Sequence, residues 1–386
     1  MSDDEVLFEI KKQQLNTGLR GFPVGTCRTS SVNATDGVSY RGYPVAELAH
    51  LPSEDVIHLL LYGELPTGDQ QQAFHQELHR RAEVPEGVLH LLHSLPRDGH
   101  PMEWFITGLL ALGMTGKTGD YVEDGLNCIA RINAMAAAVF RIREGWGDPI
   151  PPRDDLGYGA NFAHMLDCPD AHPQLGELLR MFHVLHMDHG GGNLSTFAGK
   201  ATASGRADMY VSLASAMTAL YGPRHGRANQ ETLKFVKQVG TSDEAEAEAF
   251  IRKTLAEGGL IYGFGHAVLR AEDPRATKQY AFAEQHFADD PLVKTVLTLR
   301  KVVPPILKEN PKISNPYPNV DAVSGSLLNA AGLKDSNYYT LLFGWSRVVG
   351  IAAQIIDEQV NFRDGKGVPI YRPRFIAEGQ PERHLS

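Results

Sequence analysis

The chain has 386 residues, 42% hydrophobic and 22% charged, with 37 Lys and Arg against 46 Asp and Glu for a formal net charge of -9. That length suffices for one large domain or two ordinary ones, and the acidic balance disfavours nucleic acid as a partner. Three cysteines, Cys27, Cys128 and Cys168, with no Cys-x-x-Cys spacing, argue against a disulfide framework or a thiolate zinc site and for a reducing cytoplasm.

From the N-terminus, the opening MSDDEVLFEIKK lacks the basic, apolar and small-residue succession of a leader. The longest apolar stretches, such as 106–114, fall short of a membrane span, so no membrane contact is expected. Apolar residues recur at helical spacing and alternating strand-like runs are almost absent, which predicts an all-α protein. Pro52 and Ser53 open the run EDVIHLLLY, Gly63 closes it, and Thr67 with Gln70 forms a capping-box pattern for the next helix. Further helices are expected over 120–144, 174–186, 208–221, 243–257 and 338–359, with a second capping box at Thr241 and Glu244. The small residues at 212, 214, 215, 216 and 219 predict a helix buried on more than one side. Glycine and proline cluster at 188–193, 221–226, 258–275 and 311–325, and each cluster carries a His or an Asp. Loops of this kind are where chemistry sits.

His183, His186 and His189 are spaced to spread three imidazoles over one side of a helix, as zinc ligands are. No His-Glu-x-x-His pattern accompanies them, and His189 already stands at the Gly190–Gly192 break, so structural or substrate-binding roles are expected and no metal. The stretch ALGMTGKT at 111–118 is one glycine short of a phosphate-binding loop, with Ala111 in that place. Its upstream neighbour HPMEWFITGLL reads as helix rather than strand, which leaves a nucleotide-binding module as a remote alternative and an ordinary turn near Lys117 as the expectation.

Three segments carry more: YGPRHGRANQE around His225, YGFGHAVLRAEDPR around His266 and NPYPNVDAVSG around Asp321. Together they resemble the signature segments of the citrate synthase family. GLRG at Arg20, YRGYPVAELA, LLYGELPT, HPM at His100, MDHGGGN at His189 and YRPRF at Arg372 fall in that family's order over nearly the whole chain. GHAVLRAEDPR and NYYTLLFGWSRVVGIAAQ look most like the branch that includes mitochondrial enzymes, although no transit peptide is visible and a bacterial or archaeal cytoplasm is expected. Gly190 replaces a frequent acidic residue and Arg224 a usual leucine.

The resemblance implies a two-domain all-α homodimer, with a large domain from 1–225 and 327–386 and a small domain from 226–326. It implies condensation of acetyl-CoA with oxaloacetate and hydrolysis of the citryl thioester, the citrate-forming step of the tricarboxylic acid cycle. Asp321 then matches the base, His225 the donor to the enolate oxygen, and His266 the group that polarises the ketone. His189, Arg275, Arg347 and, from the neighbouring subunit, Arg372 match residues that hold oxaloacetate, while Arg20 and Arg270 match those that meet coenzyme A phosphates. No cofactor is implied beyond coenzyme A as the thioester substrate. A 2-methylcitrate synthase acting on propionyl-CoA is the alternative within the same family.

Overall fold

The computed structural model describes residue 6 and residues 8–266, 268–376, 379 and 383–384. Three short strands come first: β1 (Ser30–Asn33), β2 (Gly37–Tyr40) and β3 (Tyr43–Pro44) form an antiparallel meander, with Ser30 opposite Tyr40 and Tyr40 opposite Tyr43. Helices make up the rest. They are α1 (Val45–Leu48), α2 (Ser53–Tyr62), α3 (Gly68–Arg81), α4 (Glu86–Ser94), α5 (Pro101–Gly116), α6 (Tyr121–Glu144), α7 (Tyr158–Leu166) and α8 (Leu175–His186). There follow α9 (Leu194–Ser204), α10 (Met209–Leu220), α11 (Ala228–Val239), α12 (Glu244–Ala256), α13 (Pro274–His286), α14 (Pro291–Lys308), α15 (Asp321–Ala330) and α16 (Tyr339–Ile356).

Local chemistry sets the helix ends. α2 follows Pro52, carries Glu54 and Asp55 at its positive end, and stops at Gly63, whose φ of 94° only glycine adopts without strain. The Thr67 N–H donates to Gln70 Oε1 at 2.9 Å, as the capping-box spacing requires. The second expected box does not form. Asp243 caps α12 instead, accepting the Glu246 N–H at 2.9 Å, while the Thr241 hydroxyl accepts the Asp243 N–H and donates to the Glu246 carboxylate. Asp243 sits three residues before Glu246, where its short carboxylate reaches an unpaired helix N–H directly.

The core gathers around α6, α10 and α16. At the α9–α10 crossing, a Cβ on Gly199 would stand 3.1 Å from Ala216 Cβ and 3.2 Å from the Ser212 carbonyl oxygen, so small residues set the helix separation as expected. α16 is long and apolar enough to cross a bilayer, but it is enclosed by the rest of the protein. Its Trp345 stacks on Phe162 and donates its indole N–H to Asn133 Oδ1 at 3.0 Å. Residues 111–116, the near-match to a phosphate loop, are the last turns of α5, and Lys117 pairs with Asp208 at 2.8 Å. The residues leading into them, from Pro101 on, are helix rather than strand, and the nucleotide-binding alternative falls.

α11 to α15 form a second group, with α15 packed on α11, α13 and α14, and α15 runs unbroken across residue 326. The two groups touch where the Arg270 N–H donates to the Ala34 carbonyl at 2.9 Å and where Pro274 meets Gly37.

One ion pair makes stability pH-dependent. His75 Nδ1 lies 3.1 Å from Glu54 and Nε2 lies 3.1 Å from the Asp154 carbonyl, contacts that push the imidazole up to about 9 from its ordinary 6.5. The folded value is the higher one, so the pair's contribution is complete below pH 6.5 and is lost as pH rises to about 9. The stability advantage of wild type over His75→Ala is therefore expected to shrink across that window in urea unfolding. An advantage that stays constant or grows would contradict the pairing.

Candidate active site

His225 stands in the loop between α10 and α11. That loop needs Gly226, because a Cβ there would lie 2.2 Å from the Leu220 carbonyl oxygen, and Thr340 fixes it by donating its hydroxyl to the Gly226 carbonyl at 3.0 Å. The Ser195 backbone N–H donates to His225 Nε2 at 3.1 Å, and the Ser195 hydroxyl lies 2.9 Å from the same nitrogen. An amide can only donate, so Nε2 offers its lone pair and the neutral ring keeps its proton on Nδ1. Burial, aided by the charge of Arg347, pushes this imidazole down to about 4, so it is neutral at pH 7.

His266 has the opposite tautomer. Its Nδ1 accepts the backbone N–H groups of Val268 and Leu269, both at 3.0 Å, which leaves the proton on Nε2. Burial and then Arg275 lower its pKa as well. The Asn319 side chain donates to the Gly265 carbonyl at 3.0 Å and its backbone N–H to the Gly263 carbonyl at 2.9 Å. Gly263, at φ 83°, passes so close to α15 that a Cβ would lie 2.8 Å from Ala322 Cα. These contacts tie the His266 loop to the start of α15, where Asp321 is the first residue.

Asp321 accepts no side-chain hydrogen bond from the described residues, although its own N–H is held by Asn319 Oδ1 at 3.0 Å. Burial raises its carboxyl to about 6, against the opposing pull of Arg275 and with a further push from Asp273. It is a stronger base than a solvated aspartate and is still mostly ionised at pH 7.

Two guanidinium groups and a histidine lie close to Asp321 and His266. Arg275, 2% exposed, is gripped by Asp273 through Nε at 3.1 Å and Nη2 at 2.7 Å, which orients the rest of its fork. Arg347, equally buried, donates Nε–H to the His186 carbonyl at 3.0 Å and lies over the Phe343 ring, yet has no salt-bridge partner among the described residues. Burial pushes it down to about 10. A buried cation without a counter-ion is costly, and an anionic ligand relieves that cost. The His189 ring centroid is 5.9 Å from that of His266; burial, then Arg275 and Arg347, hold it well below its ordinary pKa. Neutral imidazoles beside two converging cations suit a small dicarboxylate with a carbonyl group.

One chain thus brings together His189, His225, His266, Arg275, Asp321 and Arg347. Arg372 is exposed beside Tyr371, outside that group, and Arg20 is exposed in the N-terminal segment. Arg270 is exposed too, with Nη1 on the Val268 and Leu269 carbonyls, near enough to His266 to lower its pKa. His183 is buried between Tyr158 and Trp345, and His186 Nδ1 lies 2.7 Å from the Phe182 carbonyl, so the three-histidine spacing does not converge on one point. Among the described residues no group of His, Cys, Asp and Glu is arranged to hold a metal. Sequence reasoning missed Asp188, Ser195 and Asp273, which orient His189, His225 and Arg275. The last two had a signal: a serine after the Gly190–Asn193 break, and an aspartate two residues before an arginine.

A family model described as "Citrate synthase, C-terminal domain" matches residues 18–374. The mitochondrial citrate synthase of Daucus carota is 39% identical over 95% of this chain and 82% of its own, and citrate synthase 5 of Arabidopsis thaliana, also mitochondrial, is 40% identical over 93% and 81%. The crystal structure of citrate synthase from Pyrobaculum aerophilum superposes with a TM-score of 0.84 at 27% identity, covering 96% of this chain and 93% of that one. The chain belongs to the citrate synthase family, and its activity is that family's.

Proposed function

We propose that the site condenses acetyl-CoA with oxaloacetate through Asp321, His225 and His266, and that the complementary tautomers of the two histidines carry this assignment. The difficult step is the first. A carboxylate must take a proton from a thioester methyl weaker as an acid by well over ten pKa units, an offset of roughly 14 kcal/mol or more. Asp321 takes that proton while the His225 Nδ1–H donates to the developing enolate oxygen. A neutral donor suits this role, because an imidazolium would surrender its proton outright. The His266 Nε2–H meets the oxaloacetate ketone, draws electron density from its carbon and delivers the proton as the new hydroxyl forms.

Arg275, Arg347 and His189 hold the two oxaloacetate carboxylates, joined by Arg372 of a second copy in a homodimer, while Arg20 and Arg270 meet coenzyme A phosphates. Exposure of Arg372 in the single chain supports a role across a subunit boundary. Water then hydrolyses the citryl thioester. We place the enzyme in the tricarboxylic acid cycle of a bacterial or archaeal cytoplasm; its three free thiols suit a reducing compartment. No metal or further cofactor enters.

The acyl group is the open choice within the family, because one methylene is worth only about 1–3 kcal/mol of discrimination. Steady-state rates with acetyl-CoA and propionyl-CoA side by side are expected to give the larger kcat/KM for acetyl-CoA. A preference for propionyl-CoA would make the protein a 2-methylcitrate synthase.

A further inference from the structure

The segment that presents His189, residues 188–193, has neither helix nor strand geometry, so its shape depends on the side chains beneath it. Asp188 is fully buried. It accepts the Thr29 hydroxyl at 2.6 Å, the His189 backbone N–H at 2.8 Å and the Gln354 side-chain N–H at 2.8 Å. The same Gln354 nitrogen donates to the Gly190 carbonyl at 3.1 Å. Gln354 Oε1 in turn accepts from Lys200 Nζ at 3.2 Å, and Lys200, 5% exposed, pairs with Glu358 at 2.8 Å. Tyr371 donates its hydroxyl to that carboxylate at 3.5 Å.

The ammonium lies directly under the turn: a Cβ on Gly191 would stand 2.9 Å from Lys200 Nζ and 3.4 Å from Gln354 Oε1. Gly190 has φ 68°, a conformation that glycine adopts without strain. Gln354 has an amide with two chemically distinct ends, and the Lys200 cation on the Oε1 side selects the same orientation as the acceptors Asp188 and Gly190 on the N–H₂ side, so the amide is held from both ends. A buried ion pair is a weak source of stability, so its place under this turn calls for another explanation.

We propose that Lys200, held by Glu358, is a positioning residue for oxaloacetate: it fixes the Gln354 amide, which through Asp188 and Gly190 fixes the turn that presents His189. The proposal rests on His189 as an oxaloacetate ligand. The tests are Lys200→Met, the charge-free pair Lys200→Met/Glu358→Met, and Gln354→Met, which leaves the ion pair intact. Each is expected to raise the oxaloacetate KM about tenfold, the scale of one lost buried hydrogen bond, with kcat and the acetyl-CoA KM within about twofold. Lys200→Arg should recover part of the loss.

Should Lys200→Met not fold, the other two variants carry the test, since neither leaves a buried charge unpaired. His189→Gln is the control for the site: an unchanged oxaloacetate KM there defeats the reading of His189. A raised value in His189→Gln with wild-type values in the Lys200 and Gln354 variants overturns the role of Lys200. A fall in kcat at unchanged oxaloacetate KM would also overturn it.

Discussion

Asp321→Asn is expected to lower condensation by about 10²–10⁴-fold, the range that a positioned general base contributes, while oxaloacetate binding persists. The substitution keeps the shape of the side chain and removes the proton acceptor. Unfolding does not account for such a loss, as the linkage shows. Burial raises this carboxyl from 3.8 to about 6, so keeping it ionised opposes folding above that range, and a neutral asparagine removes the cost. The variant should be at least as stable as wild type at pH 7 in urea unfolding and should bind oxaloacetate in calorimetry with little change. Activity within tenfold of wild type would remove Asp321 from the role of base.

Mixing two nearly inactive parents is expected to restore activity if Arg372 serves the neighbouring subunit. Asp321→Asn disables a subunit's own site, and Arg372→Ala disables the partner's. In a mixed dimer both lesions fall on one site and the other is intact. Random exchange makes about half of the dimers mixed, each with one working site of two, so roughly a quarter of wild-type activity should return in a two-fold symmetric dimer. Exchange is followed with mass-tagged subunits. If it is complete and activity stays at the parental level, Arg372 acts within its own chain or not at all.

What the sequence reveals and what it hides follow from distance along the chain. Short-range rules found the end of α2 at Gly63 and the start of α3 at Thr67, because their determinants lie within a few residues. The same reasoning chose Thr241 over Asp243 as a cap, a competition settled by which oxygen reaches the Glu246 N–H. His225, His266 and Asp321 stood out because each lies in a compact motif. Their protonation did not, since the tautomer of His225 depends on the amide of Ser195, 30 residues away. The support of His189 was hidden more deeply. Gln354 meets Asp188 across 166 residues and Lys200 across 154, so no local pattern could pair them. That Arg347 has no salt-bridge partner among the described residues, which points to an anionic ligand, likewise appears only when neighbours from several helices are in place.

The most direct measurement is product balance. The purified protein is incubated with oxaloacetate and acetyl-CoA, and citrate and free coenzyme A are quantified by mass spectrometry. Equal amounts of the two are expected, with both lost in His225→Ala. Coenzyme A released without citrate, or no release at all, would contradict condensation at this site.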